Sequence, residues 1–296
     1  TDVLRDVVRN LRNKIIDAGG EIRFASRVET FHVIQDRLVG ITLATGEYIE
    51  TDYVILAIGH SSRDTFRALE AVGVPMEPKP FSMGVRVEHP QRLIDEAQYG
   101  DSDLAKILGP AEYKLSHRCR NGRGVYTFCM CPGGSIISAG TERGGIVING
   151  MSNHARDGKY GNSAVLVDVR TEDFLEADKK EDPLAGMEFQ RKYERLAFRQ
   201  GRGKPPETIY GRLEGSPVGE SLPGFVTESI LEAMPFFGKK LKGFDRHDTV
   251  MVGVETRSSS PVRILRSPQG ESRIRGLFPA GEGAGYAGGI MTAAED

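Results

Sequence analysis

A short apolar run, LFPA at 277–280, stops abruptly in GEGAGYAGG, so that Gly283, Gly285 and Gly288 spell GxGxxG. Glycines at this density let a backbone turn left-handed and come close to another group. AGGIMTAAED then begins a helical pattern, which makes the whole a strand–loop–helix unit. In its usual place the fingerprint ends the first strand of a βαβ unit, and an acidic residue about 20 positions later binds a ribose. Here the chain stops at Asp296, before any such residue. Three readings are open: a pyrophosphate loop, a flexible turn, or a late strand–loop–helix whose free amides meet another part of a cofactor. Position favours the third. In that reading Glu282, just past the strand, is an acceptor for a hydroxyl group.

A second run has the same form. YVILAI at 53–58 is continuously apolar, as expected of a parallel strand covered on both faces, and Gly59 ends it. SSRDTFRALEAVG then starts a short helix, with Ser61 or Ser62 as its cap. Before this strand, Leu4, Val7, Val8, Leu11, Ile15 and Ile16 recur at helical spacing until Gly19. Three β segments follow as a meander with turns at Asp36 and Thr45-Gly46. Pro75, Pro78 and Pro80 mark a boundary. Beyond it lie mixed strands and helices, including FSMGVRVEH, GVYTFCMC, SAVLVDVR and a helix over EDPLAGMEFQRKYERLAFRQ. The expected fold is therefore α/β with an α+β insert. Residues 1–79 and 248–296 would form one discontinuous domain, interrupted by a second over 80–247.

Composition excludes more than it selects. A net charge of -2 in 296 residues gives no electrostatic support for general nucleic-acid binding. No stretch approaches the roughly 20 apolar residues of a membrane span, and three cysteines are too few for a secreted disulfide framework. These features predict a cytoplasmic protein. The absence of a starting Met and the helical pattern at the last residues predict a piece of a longer chain.

Candidate chemistry is sparse. Cys129 and Cys131, two apart on a strand, would share one face. They could be a redox pair, part of a ligand-site wall, or unreactive thiols. A zinc site built on them would need two more ligands, with only Cys119 and scattered histidines such as His117 at hand, so no metal is expected. Arg257 beside three serines suits either a phosphate or carboxylate contact or a solvated turn, and Arg156-Asp157 has the same two readings. His60 could be catalytic or a satisfied structural histidine. No triad or paired-carboxylate arrangement is legible.

GGEIRF, TDYVILAIGHSSRDTF, KPFSMGVRVEHPQ, NGRGVYTFCMCPGG, NGMSNHARDG, VETRSSSPVRI and GLFPAGEGAGYAGGIMTAA together resemble the bacterial FAD-dependent, NAD-utilising dehydrogenases. These are relatives of the glutathione-reductase-like two-dinucleotide-fold flavoproteins. The resemblance implies an FAD-dependent oxidoreductase acting on a small-molecule substrate, with NAD(P)H as co-substrate, and no membrane or nucleic-acid partner. It implies an incomplete Rossmann-like FAD/NAD(P)-binding domain built from separated pieces, 1–79 and 248–296 around a substrate or cap domain over 80–247, of which the first strand–GxGxxG–helix is absent from this chain. LAIGH (Ala57, Gly59, His60) resembles the motif that closes the middle of that domain. Gly281, Glu282, Gly283, Gly285 and Tyr286 would form the late motif, and Gly288, Gly289 and Ile290 would start a helix facing the flavin pyrimidine. CMCPGG (with Gly133 and Gly134), HARDG and TRSSSP (with Arg257 and Ser258) would line the flavin or substrate side. Cys129, Cys131 and Arg257 are the catalytic candidates. Two alternatives stand beside this: a flavin-dependent nucleic-acid-modifying enzyme, given the Lys and Arg of 191–204 and 239–246, and a non-catalytic module.

Overall fold

A computed structural model describes residues 2–100, 102–175 and 182–296. Helix α1 (Leu4–Asp17) stops before Gly19, whose φ of +85° few other residues would tolerate. The antiparallel meander β1 (Val28–Ile34), β2 (Arg37–Leu43) and β3 (Tyr48–Glu50) forms as its alternation predicts. Gln35 and Asp36 both take positive φ at the β1–β2 turn, the two-residue geometry that matches strand twist. Strand β4 (Val54–Leu56), helix α2 (Arg63–Ala71) and strand β5 (Met76–Pro78) follow. Ser62 does not cap α2 with its side chain; its hydroxyl donates back to the Ile58 carbonyl at 2.7 Å.

Next come β6 (Phe81–Pro90), α3 (Gln91–Tyr99), α4 (Ala105–Leu108), β7 (Ser116–Arg118), β8 (Gly124–Cys131), β9 (Ser135–Ser138), β10 (Ile148–Met151) and β11 (Tyr160–Val169). The chain continues through α5 (Ala185–Gln200), β12 (Glu207–Ile209), α6 (Gly224–Lys240) and β13 (Val250–Glu255). It closes with β14 (Val262–Ile264), β15 (Leu277–Pro279), α7 (Gly281–Ala284) and α8 (Ile290–Glu295). The fold is mixed α/β with several antiparallel sheets. No helix among the described residues is long and apolar enough to cross a membrane.

Two compact units divide the chain. One comprises Thr1–Ala18, Ser82–Asp168 and Gln190–Thr256; the other Gly19–Phe81, Val169–Phe189 and Arg257–Asp296. These limits depart from the sequence division in three places. Helix α1 and strand β13 fall in the first unit, and 169–189 falls in the second.

The first unit is built on a six-stranded sheet in the order β12-β13-β6-β11-β8-β7. Its inner strands β6 and β11 are buried along nearly their whole length, polar residues included. Helix α6 packs on β7 and β8 and buries Val226, Ile230, Met234 and Phe237. Among the buried polar residues of this layer is Arg86 on β6, which has no exposed surface. Its Nε and Nη2 bond both oxygens of Glu255 on β13, at 2.6 and 3.2 Å. Nη1 donates to Asn162 Oδ1 at 2.7 Å and to the Cys129 carbonyl at 3.2 Å, and Nη2 also donates to Asn149 Oδ1 at 3.1 Å.

In the second unit Phe31, Leu38, Leu56, Phe66, Leu69 and Leu277 belong to one buried cluster that joins the meander, α2 and the β4–β15 pair. That pair is parallel, with Leu277, Phe278 and Pro279 opposite Val54, Ile55 and Leu56. The expectation that β4 is covered on both faces is corrected. Leu56 is buried, but Ile55 is 76% exposed and Tyr53 is exposed too. Only the face carrying Leu56 meets the cluster, so the other face of this strand is open.

Removing one member of a buried, hydrogen-bonded ion pair strands the other charge. Arg86→Met should therefore cost about 3–5 kcal/mol in denaturant unfolding, and Arg86→Met/Glu255→Leu should recover most of it. A single variant within about 1 kcal/mol of the parent would show that the pair is not what holds these strands.

Candidate functional site

In the second unit the parallel register places the ends of β4 and β15 side by side, and the Ala280 amide donates to the Leu56 carbonyl at 3.1 Å. Each strand is followed within three residues by a glycine, Gly59 and Gly281. Gly59, Gly281 and Gly285 all adopt positive φ, at +68°, +73° and +87°. The two loops then touch through their backbones. A Cβ on Gly283 would lie 2.8 Å from the Gly59 carbonyl carbon and 2.9 Å from its nitrogen, closer than any side chain can approach. A Cβ on Gly285 would sit 2.7 Å from the Val262 carbonyl oxygen. These glycines are therefore needed for packing between loops, whatever else they do.

That contact brings together side chains 222 positions apart. His60 Nδ1 lies 3.0 Å from Glu282 Oε1, both about a quarter exposed. The histidine thus has the partner that no nearby residue supplied. Lys79 shares this surroundings: burial pushes its ammonium below the ordinary lysine value, the neighbouring Arg263 adds to the fall, and Glu282 opposes it. Ser260 joins from the TRSSSP loop; its hydroxyl donates to the Val262 carbonyl at 2.7 Å and lies 3.5 Å from the Gly283 carbonyl. Lys79 and Ser260 escaped sequence reasoning. The second sat inside a quoted motif, where Arg257 and Ser258 drew the attention.

The other expected positions fall as follows. Ala57 is exposed beside Gly59, whereas Arg257 is buried and Ser258 half-buried. Tyr286 is partly exposed under the Arg266 guanidinium, 4.1 Å from its ring centre, with Arg263 at 5.3 Å. Gly288, Gly289 and Ile290 are exposed at the start of α8, and the Gly288 amide already donates to Thr292 Oγ1 at 3.2 Å. Gly133 and Gly134 belong to the first unit, where Gly133 packs against the backbone of Arg156 and gives its amide to Gln91 Oε1 at 3.0 Å. Arg156 pairs with Glu112. In the two basic runs, Arg191 pairs with Glu142 and Arg246 with Asp248.

The glycine loops bear on how a flavin dinucleotide would fit. Parallel strand ends, a side-chain-free approach at Gly59 and Gly283, and an acid held by His60 form a donor and acceptor set suited to the polar stem of a dinucleotide. The residues present fit the group.

The first unit holds a separate reactive cluster. Between the pairs Asn162↔Cys131 and Ala164↔Phe128 the register shifts, and Cys129 adopts φ +48° at this bulge. The two thiols consequently differ in exposure, Cys129 exposed and Cys131 buried, while remaining within hydrogen-bond reach of each other. Cys131 Sγ lies 3.6 Å from Arg86 Nη1. A hydrogen bond from the Cys131 thiol, reinforced by the charge of Arg86, outweighs burial and lowers Cys129 to about 6. Cys131 moves strongly the other way, because its proton is held toward Cys129 and burial adds to the rise.

Two outcomes follow. Alkylation mapped by peptide mass should modify Cys129 first, with a rate that climbs through pH about 6 and is flat above it. Cys131→Ala, which removes the donor, should move that midpoint toward the ordinary thiol value of about 8.5; a midpoint that stays put would rule out the thiol pair as its cause. Gly283→Ala should lower the melting temperature, by the equivalent of about 1–3 kcal/mol for overpacking, while Gly288→Ala, with open space in front of it, should leave it unchanged. Equal effects would show that the loop contact is not tight.

An uncharacterized protein of Clostridium beijerinckii is 43% identical, in an alignment that covers 100% of this chain and 59% of the relative. The chain thus spans about three fifths of the length of the curated relative it matches. Residues 80–210 and 206–258 match the family described as FAD-dependent protein, C-terminal domain-like, and the chain belongs to that family.

Proposed function

We propose that this chain is the C-terminal part of an FAD-dependent oxidoreductase of the glutathione-reductase-like class, with the second unit as the closing portion of a Rossmann-like FAD domain. The observation that carries the reading is the parallel β4–β15 pair, whose glycine ends meet at Gly59 and Gly283 and whose acid, Glu282, is held by His60. The open face of β4 supports it as well, because parallel strands are ordinarily covered on both sides and Ile55 here is not. The family's description as FAD-dependent adds to this.

Bound flavin would supply hydride or electron transfer that side chains cannot perform. Ala57, Gly59, His60, Gly281, Glu282, Gly283 and Gly285 are the residues assigned to hold it. Gly59 and Gly283 keep the loop surface free of side chains, and Glu282, fixed by His60, accepts hydrogen bonds at a set position. We assign NAD(P)H as co-substrate, a small molecule as the second substrate and the cytoplasm as location. No observation favours the nucleic-acid reading, and Arg191 and Arg246 of the basic runs are paired with acids.

The test uses the protein at the full length of its relatives. It should purify with a flavin absorbance band or acquire one on addition of FAD, and Glu282→Gln should weaken FAD binding by about 10-fold, the loss of one charge-assisted hydrogen bond. A full-length protein that stays colourless with excess FAD would sink the proposal.

A further inference from the structure

A second group of side chains in the first unit converges without any role in the preceding reading. His117 on the edge strand β7 and Cys119, just past its end, both approach helix α6. On α6, Ser229, Glu232 and Phe236 follow at the spacing of one helix face. His117, Cys119 and Glu232 then offer a ring nitrogen, a thiol sulfur and a carboxylate oxygen that all lie within 4.8 Å of one another.

The details suit a ligand set better than an ion pair. His117 Nε2 is buried without a hydrogen-bond partner among the described residues, and Glu232 Oε1 is 3.6 Å away, too far for a hydrogen bond. An orphaned buried ring nitrogen costs free energy unless something binds it. Its ring is held in place by stacking on Phe236, with 3.9 Å between centres. Glu232 is anchored by the Arg120 backbone amide at 3.0 Å. Cys119 Sγ has only a weak contact, 3.5 Å to the Ser229 carbonyl. Asn121 Nδ2 holds the hydroxyl of that same serine at 3.0 Å. Such outer contacts are what orient metal ligands.

We propose that His117, Cys119 and Glu232 form a three-ligand site for a borderline-soft divalent cation of the zinc class, with a fourth position open to water. One imidazole, one thiolate and one carboxylate match the donor preference of zinc, and their two negative charges neutralise it. Ligand bonds of about 2.0–2.3 Å need the donors roughly 3.3–3.8 Å apart, so side-chain rotation of about 1 Å closes the set. Cys119 is buried, but His117 and Glu232 are 16% and 24% exposed, which leaves the ion a path in from solvent. His117 on β7, Cys119 just past its end and Glu232 on α6 would cross-link the sheet edge to its covering helix.

Cobalt(II) tests this directly, because a thiolate ligand gives it a near-ultraviolet charge-transfer band and tetrahedral geometry gives intense visible bands. The 296-residue chain, stripped with chelator, should bind one equivalent of cobalt with both signals, and zinc should displace it. Cys119→Ser should abolish the charge-transfer band, whereas Cys129→Ser/Cys131→Ser should keep it. His117→Gln and Glu232→Gln should weaken cobalt binding at least about 10-fold, the loss already seen when outer-shell partners are removed. Circular dichroism of each variant checks that it is folded. A folded parent with no charge-transfer band, a band that survives Cys119→Ser, or unchanged affinity in both other variants would each overturn the site. None of these readouts depends on flavin.

Discussion

The Arg86–Glu255 pair is the constraint around which the larger sheet is organised. A guanidinium with no exposed surface must have its charge answered and its donors used, because an unpaired charge in that position would cost several kcal/mol. Arg86 satisfies this by bonding groups on four other strands: Glu255 on β13, Asn162 on β11, the Cys129 carbonyl on β8 and Asn149 on β10. Strand neighbours that an apolar core would fix only by shape are here fixed by donor and acceptor position. Gly150 belongs to the same arrangement, since any side chain there would occupy the space of the guanidinium.

The same charge reaches the chemistry of the unit. The Cys129 carbonyl can bond Arg86 because the bulge turns the backbone, and that turn separates an exposed thiol from a buried one. A regular strand would have given two equivalent cysteines. The asymmetry that distinguishes Cys129 therefore follows from the demand of a buried arginine for acceptors, together with the thiol of Cys131 beside it.

Much of the fold was legible in the sequence where the signal is local. The meander, its turn at Asp36, helix α1 and the parallel strand ends before Gly59 and Gly281 all follow from periodicity and glycine placement. What escaped depends on distant partners. Arg86 sits in GVRVEH, where alternation says nothing of Glu255, 169 residues later. His60 looked unpartnered because Glu282 is 222 residues away, and it is the parallel register of β4 and β15 that joins them. The exposure of Ile55 was missed for the same reason: an apolar run records that a strand is to be covered, not by what. Ser62 failed as a cap because a closer carbonyl, that of Ile58, took its hydroxyl.

The three cysteines show how far environment decides what one residue type can do. Cys131 is buried against a guanidinium and holds its proton, Cys129 is exposed and readily ionised, and Cys119 sits beside an imidazole and a carboxylate. Spacing alone suggested pairing two of them and setting the third aside. The fold instead gives Cys119 the company that spacing could not supply, since Glu232 comes from a helix more than a hundred residues along. A search for metal-ligand spacing along the chain fails here for a physical reason. Short ligand spacings arise when one loop wraps the ion, whereas a site between a strand and the helix covering it needs only i, i+2 at the strand's end and a single residue on the helix.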